Sequence, residues 1–306
     1  RPNEELQAKV DQILEVAEDG IAYTVNPSFI HHGEHSYSGR FTDKLVSHFG
    51  RKPRLPDGEF DSWHEDLAYA TQLALEKAVE RLVKWGLAET GFNKVCIGGG
   101  VALNIKMNSR IRALPEVEEI FAQPLCSDGG AAAGAALVAC FQETGVKPEP
   151  LKSVALGYEE TNEKIEHTLK LAGLTYEKPE NLSEVVAEEL SNGRIVGWFQ
   201  GRMEGGPRAL GQRSILADPR SVANRDKVNS IIKFREYWRP FCPSMIEEAA
   251  GDYFEDHQEA PFMILSFKAN DKLKKDAPAI VHVDGTARVQ LVNEEVNPRY
   301  HSLIKA

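Results

Sequence analysis

Two successive patterns of strand, glycine turn and helix constrain the fold of this chain more than any other feature. Residues 94–97 form a short apolar strand pattern that runs into the glycines at 98–100, and residues 102–112 have the composition of a helix. The strand pattern returns at 119–122, where a turn at 126–130 leads into an alanine-rich helix. The order β-α-β-α predicts an α/β layer. A helix that follows a glycine turn also presents the N–H groups that bind phosphate.

Outside this layer, apolar spacing predicts one long helix and a second half of mixed type. Residues 63–85 carry apolar side chains on one face, and Gly86 and Gly91 are expected to end that helix. A glycine and two prolines mark 142–150 as a linker, so we place the domain boundary between residues 147 and 148. The second half is predicted to be α+β with an antiparallel sheet. Its predicted helices are 165–172, 182–192 and 226–232, and its predicted strands are 194–199, 262–267, 279–283 and 288–292.

Composition excludes several classes of protein. The 306 residues carry a formal net charge of −10, which argues against a general nucleic-acid binder because such proteins need a broad basic face. No apolar run approaches the ~20 residues that span a bilayer. The four cysteines are widely spaced and form no CxxC motif, and the N-terminal segment is polar. We therefore expect a cytoplasmic protein without a membrane segment.

The acidic chain contains one strongly basic stretch. Residues 194–239 hold eight arginines and two lysines against four acidic residues, a local excess of +6. Arg208 and Arg213 flank a turn of small residues, and Lys233 and Arg239 follow downstream. Guanidinium groups suit phosphate and carboxylate oxygens, so the stretch predicts a phosphate-handling surface. A solvated surface of salt bridges is the alternative reading.

Three further patterns are open to a simpler interpretation. Asp128 precedes a glycine pair, where an aspartate is usually a turn residue or helix cap, although its carboxylate is also suited to a metal or a sugar hydroxyl. His31 and His35 stand at a metal-like interval, but the surrounding glycine and proline favour an exposed polar loop. His64 begins the long predicted helix, where a capping or packing role is expected.

Five segments of the chain resemble the NodU/CmcH-type O-carbamoyltransferases, in the same order as in that family. These segments are Gly-Gly-Gly-Val-Ala-Leu-Asn at 98–104, residues 123–135, Gly-Gly-Pro-Arg-Ala-Leu-Gly and its continuation at 205–220, residues 233–244, and His-Val-Asp-Gly-Thr-Ala-Arg-Val-Gln at 282–290. The segments extend over most of the chain, which makes a chance match a poor explanation.

The resemblance implies a fold and a function. Residues 1–147 are expected to be the second part of an actin-like, sugar-kinase-like (ASKHA-type) ATPase-fold domain, and residues 148–306 a partial YrdC-like domain. In this family the YrdC-like domain forms carbamoyl-adenylate from ATP and carbamoyl phosphate. The other domain transfers the carbamoyl group to a hydroxyl of a small-molecule or sugar acceptor. The sequence identifies neither the acceptor nor the oligomeric state.

The resemblance also implies roles for the basic side chains. Arg208, Arg213, Lys233, Arg239 and Arg288 are expected to hold ATP and carbamoyl phosphate, and the last three of them to be catalytic. Fixed positive charge is what phosphoryl and adenylyl transfer require where negative charge develops.

The first domain is expected to supply a nucleotide-facing loop and a metal ligand. The resemblance gives Gly99, Gly100 and Asn104 to the loop, and makes Asp128 a ligand of the transfer-site metal, commonly iron. ATP is expected to bind with Mg²⁺. These roles raise Asp128 from a turn residue to a candidate ligand.

The chain departs from the family pattern in three places. The family's paired metal histidines belong to a segment that would precede Arg1, and an Asn-Thr-Ser-Phe-Asn segment would begin beyond Ala306. Gly205 stands where the family more often has a bulky residue. We therefore expect a piece of a longer enzyme, with an incomplete transfer site and little or no full turnover.

Two other functions remain open on the sequence alone. One is a relative that makes threonylcarbamoyl-adenylate for tRNA modification, which the overall acidity disfavours. The other is a nucleotide-binding module without catalysis, in which the basic stretch senses ATP or organises an interface.

Overall fold

The structure is a computed structural model that describes residues 2–17, 21, 23–30, 41–55 and 58–306. Internal contacts divide the chain into two compact units, one containing residues 1–95 and 110–120 and the other residues 96–109 and 121–306. The boundary predicted between residues 147 and 148 stays a prediction, as does the assignment of the two fold families. His31 and His35 lie outside the described residues.

The first unit is built on a long helix and a hairpin. Its described elements are α1 (Glu4–Asp11), β1 (Leu14–Val16), β2 (Tyr23–Val25), α2 (Asp43–Phe49) and α3 (Ser62–Thr90). Strands β1 and β2 are antiparallel. Its core joins Leu6 and Val10 of α1 to Ala70 and Ala74 of α3, and small residues on α3 let the two helices approach closely.

The ends of α3 follow from its capping residues. Asp61 Oδ1 accepts a hydrogen bond from His64 N at 3.3 Å, and Asp61 N donates to His64 Nδ1 at 3.2 Å. This reciprocal capping box confirms the predicted capping role of His64. The helix ends at Gly91 with a φ of 70°, whereas Gly86 lies inside the helix and does not end it.

The second unit contains most of the remaining elements. Strands β3 (Lys94–Ile97) and β4 (Glu119–Ala122), which pair with each other and each have residues in both units, have the predicted bounds. The helices that follow β3 are α4 (Ile105–Arg112), α5 (Asp128–Thr144), α6 (Asn162–Leu171), α7 (Leu182–Ser191), α8 (Val222–Lys227), α9 (Ala250–Tyr253), α10 (Asp271–Asp276) and α11 (Pro298–Lys305). The strands that follow β4 are β5 (Val196–Phe199), β6 (Arg213–Leu216), β7 (Ser244–Ile246), β8 (Phe267–Lys268), β9 (Thr286–Ala287) and β10 (Gln290–Val292).

The strand pairs of the second unit are short and of both types. Strands β5 and β6 are antiparallel, as are β8 and β9, whereas β7 and β10 are parallel. The strand predicted at 279–283 is wrong, because Pro278–Ile280 forms a 3-10 turn. Of the strand predicted at 262–267, only Phe267 lies in a strand, β8. Met263 adopts a φ of 54°, which interrupts extended backbone.

Two apolar clusters form the core of this unit. One contains Ala122, Val154, Leu210, Phe262, Met263 and Ile264, and the other Val186, Trp198, Val292, Tyr300 and Leu303. Gly211 packs directly beneath the Tyr300 ring, where a Cβ would lie 2.3 Å from Tyr300 Cδ1. Burial raises the pKa of Tyr300 to about 12. The basic stretch is thus anchored to α11 by a backbone-to-ring contact that only glycine allows.

None of the described helices is long and apolar enough to cross a membrane.

Candidate functional site

The loop that carries Arg208 folds around one carboxylate. Glu204 Oε1 accepts hydrogen bonds from the backbone N–H groups of Leu210, Gln212 and Arg213 at 3.0 to 3.1 Å. Its other oxygen is buried without a partner among the described residues. Gly206 has a φ of 90° and lies where a Cβ would come within 3.0 Å of Pro124 O. The loop shape is therefore set by Glu204 and by close backbone packing.

Glu204→Ala is expected to lower the free energy of unfolding by about 2 kcal/mol, because three backbone donors lose a charged acceptor. Glu204→Gln keeps one acceptor oxygen and should lose about half as much. Urea unfolding of both variants measures the effect. Equal stability of Glu204→Ala and the wild type would show that the carboxylate does not hold the loop.

Four guanidinium groups, Arg208, Arg235, Arg239 and Arg288, form what we call the arginine cluster. Burial lowers the pKa of Arg208, and the positive charge of Arg288 adds to that effect. Burial also lowers the pKa of Arg235, with further contributions from Arg239 and Arg288. Like charges therefore face each other in a partly desolvated place, which is unfavourable unless an anion binds between them.

The cluster is short of negative partners. Arg239 Nε pairs with Glu236 at 2.8 Å. Within the part of the chain that the structure describes, no salt bridge joins a carboxylate to Arg208, Arg235 or Arg288, although Glu236 lies near enough to Arg235 to raise its pKa in part. Arg208 Nε is buried and finds no acceptor among the described residues. A buried donor without an acceptor is uncommon in proteins and marks a place for an anionic ligand.

Neighbouring side chains fix two members of the cluster. Arg288 Nε donates to Cys242 Sγ, and Cys242 packs against the apolar cluster around Leu210. Arg235 Nε donates to Asn229 Oδ1 at 2.6 Å, and its guanidinium lies 4.4 Å from the Phe241 ring centroid. In both guanidinium groups the Nε donor is bound within the fold and fixes the orientation. The terminal N–H donors of both groups remain for a ligand.

An open cleft adjoins the cluster. It has a volume of about 480 Å³ and is lined by Ser230, Phe234, Arg235, Glu236 and Arg239. The Phe234 side chain is 84% exposed, and its backbone adopts a φ of 47°, a conformation unusual for any residue other than glycine. The cleft offers an aromatic ring beside two cations.

Arg213 and Lys233 are the two basic residues of the predicted site that the electrostatic contacts of the described residues do not join to the cluster. Arg213 donates to the carbonyls of Gln200, Gln212 and Gly201 at 2.6 to 3.2 Å, and its guanidinium stacks 3.5 Å from the Phe199 ring centroid. Lys233 ends the π-helix Val228–Ile232 and its side chain is exposed. The binding roles implied for both residues stay predictions.

A polar network surrounds the turn that leads to Arg288. Lys106, on helix α4, pairs with Asp284 Oδ2 at 2.7 Å. Asp284 Oδ1 accepts from Thr286 N at 3.1 Å and from Thr286 Oγ1 at 2.7 Å. Burial alone would raise the pKa of Asp284, but Lys106 and Thr286 outweigh it and hold that pKa at about 2. The helix that follows the glycine turn therefore supports the site through Lys106, a residue that the sequence did not indicate.

Lys106→Met is expected to lower the free energy of unfolding by about 1 kcal/mol near neutral pH, after allowance for solvent screening. The pKa of Asp284 is lower in the folded chain than its ordinary 3.8, so this stabilisation is present above about pH 4 and is lost as the pH falls toward 2. Urea unfolding from pH 6 to pH 3 should show the two proteins converging. A difference that stays constant across this range would contradict the assignment.

The glycine turn after β3 is open and exposed. Gly99 has a φ of 78°, and a Cβ on Gly99 or Gly100 would meet no atom within 4 Å. Asn104 Oδ1 accepts from Met107 N at 3.1 Å and so caps α4. This geometry leaves space for a ligand at the loop, while the nucleotide-facing role of these residues stays a prediction.

Asp128 stands exposed at the first turn of α5, after Ser127, whose φ of 117° is rare for a residue other than glycine. The described residues contain no group of three or more His, Cys, Asp or Glu side chains that could hold a metal ion. Within the described residues Asp128 therefore belongs to no such group, and its role as a metal ligand stays a prediction.

Comparison with known proteins identifies relatives along the whole chain. It matches the family models described as carbamoyltransferase N-terminus over residues 2–137 and carbamoyltransferase C-terminus over residues 187–306. An uncharacterized protein of Synechocystis sp. is 37% identical over 97% of this chain and 52% of its own length.

Two named relatives cover less of the chain. Nodulation protein NolO of Bradyrhizobium diazoefficiens is 37% identical over 81% of this chain and 46% of its own length. The 3'-hydroxymethylcephem-O-carbamoyltransferase of Amycolatopsis lactamdurans is 36% identical over 69% of this chain and 39% of its own length. The chain spans about half the length of these relatives, or less.

Proposed function

This chain belongs to the carbamoyltransferase family, and from that premise we propose that it is part of an ATP-dependent O-carbamoyltransferase. Its arginine cluster binds ATP and carbamoyl phosphate and supports formation of carbamoyl-adenylate, a step that consumes one water and releases inorganic phosphate from carbamoyl phosphate and pyrophosphate from ATP. The carbamoyl group then passes to a hydroxyl of a small-molecule or sugar acceptor, and AMP leaves. Residues 1–147 belong to an actin-like ATPase-fold domain and residues 148–306 to a YrdC-like domain.

The observation that carries this proposal is the charge of Arg208 and Arg288, with which no carboxylate of the described residues forms a salt bridge. Arg208 and Arg288 repel each other in a partly buried place, and Arg208 Nε has no acceptor among the described residues. A bound phosphate or acyl phosphate supplies the missing negative charge and the missing acceptor together. Since the cations are already in place, they also stabilise the charge that develops on phosphate oxygens during transfer.

The cleft beside the cluster suits the nucleotide. Arg235 and Arg239 lie at its wall with the exposed Phe234 ring. An aromatic face stacks with a base, contributing about 1 to 3 kcal/mol, while the guanidinium groups bind phosphate oxygens. Lys233 follows directly on the helix that carries Ser230 of this cleft, and its exposed ammonium group adds a point charge.

Two metals belong to the proposed reaction, one bound to ATP and one in the transfer domain of the longer protein. Mg²⁺ accompanies ATP as part of the substrate, and Asp128 is a candidate ligand for a divalent metal such as iron in the transfer domain. That metal would polarise or position the acceptor hydroxyl when bound. The residues of the arginine cluster bind and orient the anions whether or not that metal site is filled.

The proposal is tested by measuring the rate at which the protein releases pyrophosphate from ATP, with and without carbamoyl phosphate. The proposal predicts release that depends on carbamoyl phosphate and that slows at least tenfold in Arg208→Ala, a loss of about 1.4 kcal/mol of transition-state stabilisation. Binding of both substrates without any release would instead favour a non-catalytic nucleotide-binding module. Tight tRNA binding that falls steeply with salt would favour the tRNA-modification relative.

A further inference from the structure

His282 lies in the same turn as Asp284. Its imidazole ring is near enough to Arg288 to be affected by that positive charge. Its Nδ1 lies 3.5 Å from Thr286 Oγ1, and its backbone N donates to Thr286 O at 2.8 Å. Thr286 Oγ1 lies 2.7 Å from Asp284 Oδ1. Three side chains thus form a short relay from the imidazole to a carboxylate, which Lys106 holds from its other side.

The relay determines which ring nitrogen of His282 carries the proton. The ionised Asp284 carboxylate can only accept, so the single hydroxyl proton of Thr286 points toward it. Thr286 Oγ1 is then available to His282 only as an acceptor, which places the ring proton on Nδ1. In a neutral imidazole this leaves a lone pair on Nε2.

The other ring nitrogen, Nε2, lacks a hydrogen-bond partner among the described residues. It is also buried. Burial lowers the pKa of His282, Arg288 and Lys106 add to this effect, and Asp284 and the Phe241 backbone oppose it. The ring is therefore neutral near pH 7 and offers an unused acceptor beside the arginine cluster.

We propose that His282 Nε2 accepts a hydrogen bond from the protonated oxygen of an anion held by Arg208 and Arg288, and thereby makes the site selective for hydrogen phosphate groups over sulfate. The inference rests on the proposed function in one respect, that the arginine cluster holds the inorganic phosphate released from carbamoyl phosphate, an anion that still carries an O–H near pH 7. It assigns His282 as a residue that determines specificity.

The selectivity follows from the number of protons on the anion. Cations attract phosphate and sulfate alike, but near neutral pH hydrogen phosphate carries an O–H and sulfate carries none. Against sulfate, the Nε2 lone pair faces another acceptor and stays unsatisfied. A hydrogen bond to a charged group is stronger than one between neutral groups, so the expected preference for phosphate is at least about tenfold.

The experiment is calorimetric titration of the protein with inorganic phosphate and with sulfate near pH 7. The variants are His282→Phe, which removes the acceptor, and His282→Gln, which can place an amide oxygen near the Nε2 position. Arg288→Ala removes a cation instead, and Thr286→Val breaks the relay that fixes the tautomer. Circular dichroism shows which variants fold, and the glutamine and valine variants provide the test if the phenylalanine variant does not.

The expected result is that His282→Phe loses the preference for phosphate while its sulfate affinity stays within about twofold of the wild type. His282→Gln should retain part of the preference, Thr286→Val should reduce it, and Arg288→Ala should weaken both anions. A preference unchanged in His282→Phe, or an equal loss for both anions, overturns the inference. Failure of the proposed function has a different signature, since the wild-type protein would then release no pyrophosphate from ATP, whatever its preference between the two anions.

Discussion

Arg288→Ala is expected to weaken binding of carbamoyl phosphate about 10- to 100-fold, because a guanidinium group that bonds a charged ligand contributes about 1.5 to 3 kcal/mol. The same change should leave the thermal midpoint unchanged or slightly raised. Arg288 has no carboxylate partner among the described residues, and its charge disfavours the charged forms of Arg208 and Arg235. Its removal relieves that repulsion. Loss of binding with retained stability is the pattern of a residue positioned for a ligand.

Arg213→Ala is the matched comparison. The family resemblance predicts a loss of phosphate binding for this residue, but three backbone carbonyls accept hydrogen bonds from its guanidinium. We expect the loss of stability to dominate, at about 2 kcal/mol, with carbamoyl phosphate affinity within about threefold of the wild type. Thermal unfolding and calorimetric titration of both variants check the contrast. The assignment of Arg288 fails if its variant loses stability and keeps its affinity.

Gly211→Ala is expected to destabilise the second unit by about 3 kcal/mol or more. Gly211 has a φ of 96°, and an added Cβ would lie 2.3 Å from Tyr300 Cδ1 and 2.6 Å from Tyr300 Cε1. The Tyr300 ring is buried against Trp198 and the apolar cluster of α11, so it has little room to move. Backbone strain and overpacking therefore act together.

Gly173→Ala separates the two causes. Gly173 also has a positive φ, of 65°, but a Cβ there would meet no atom within 4 Å. Strain alone should lower the free energy of unfolding by about 1 kcal/mol. Urea unfolding of both variants measures the difference. Equal losses for the two glycines would mean that the contact between Gly211 and Tyr300 contributes nothing.

Short-range sequence patterns predicted the strands and the helix cap whose formation depends on residues close together in the chain. The bounds of β3 and β4 were confirmed because each is a short apolar run that ends at a turn. The capping role of His64 was confirmed because its partner Asp61 is three residues away. Family membership was confirmed as well, since it rests on long motifs rather than on single residues.

Contacts between distant residues could not be predicted in the same way. The pair Lys106 and Asp284, and the packing of Gly211 under Tyr300, join segments that nothing in the sequence connects. Arg235 and His282 lay inside the recognised motifs, but their importance depends on neighbours that only the fold brings together. Charge density indicated a phosphate site, whereas the three backbone carbonyls that accept hydrogen bonds from Arg213 come together only in the fold.

The central claim is that the arginine cluster is the site for the anionic substrates. Calorimetric titration with carbamoyl phosphate, with and without ATP, tests it on the wild type, Arg208→Ala and Lys233→Ala. We predict saturable binding by the wild type and an affinity at least tenfold lower in Arg208→Ala, with a smaller loss in Lys233→Ala because a lysine acts as a point charge. Weak binding that is the same in all three proteins would contradict the claim.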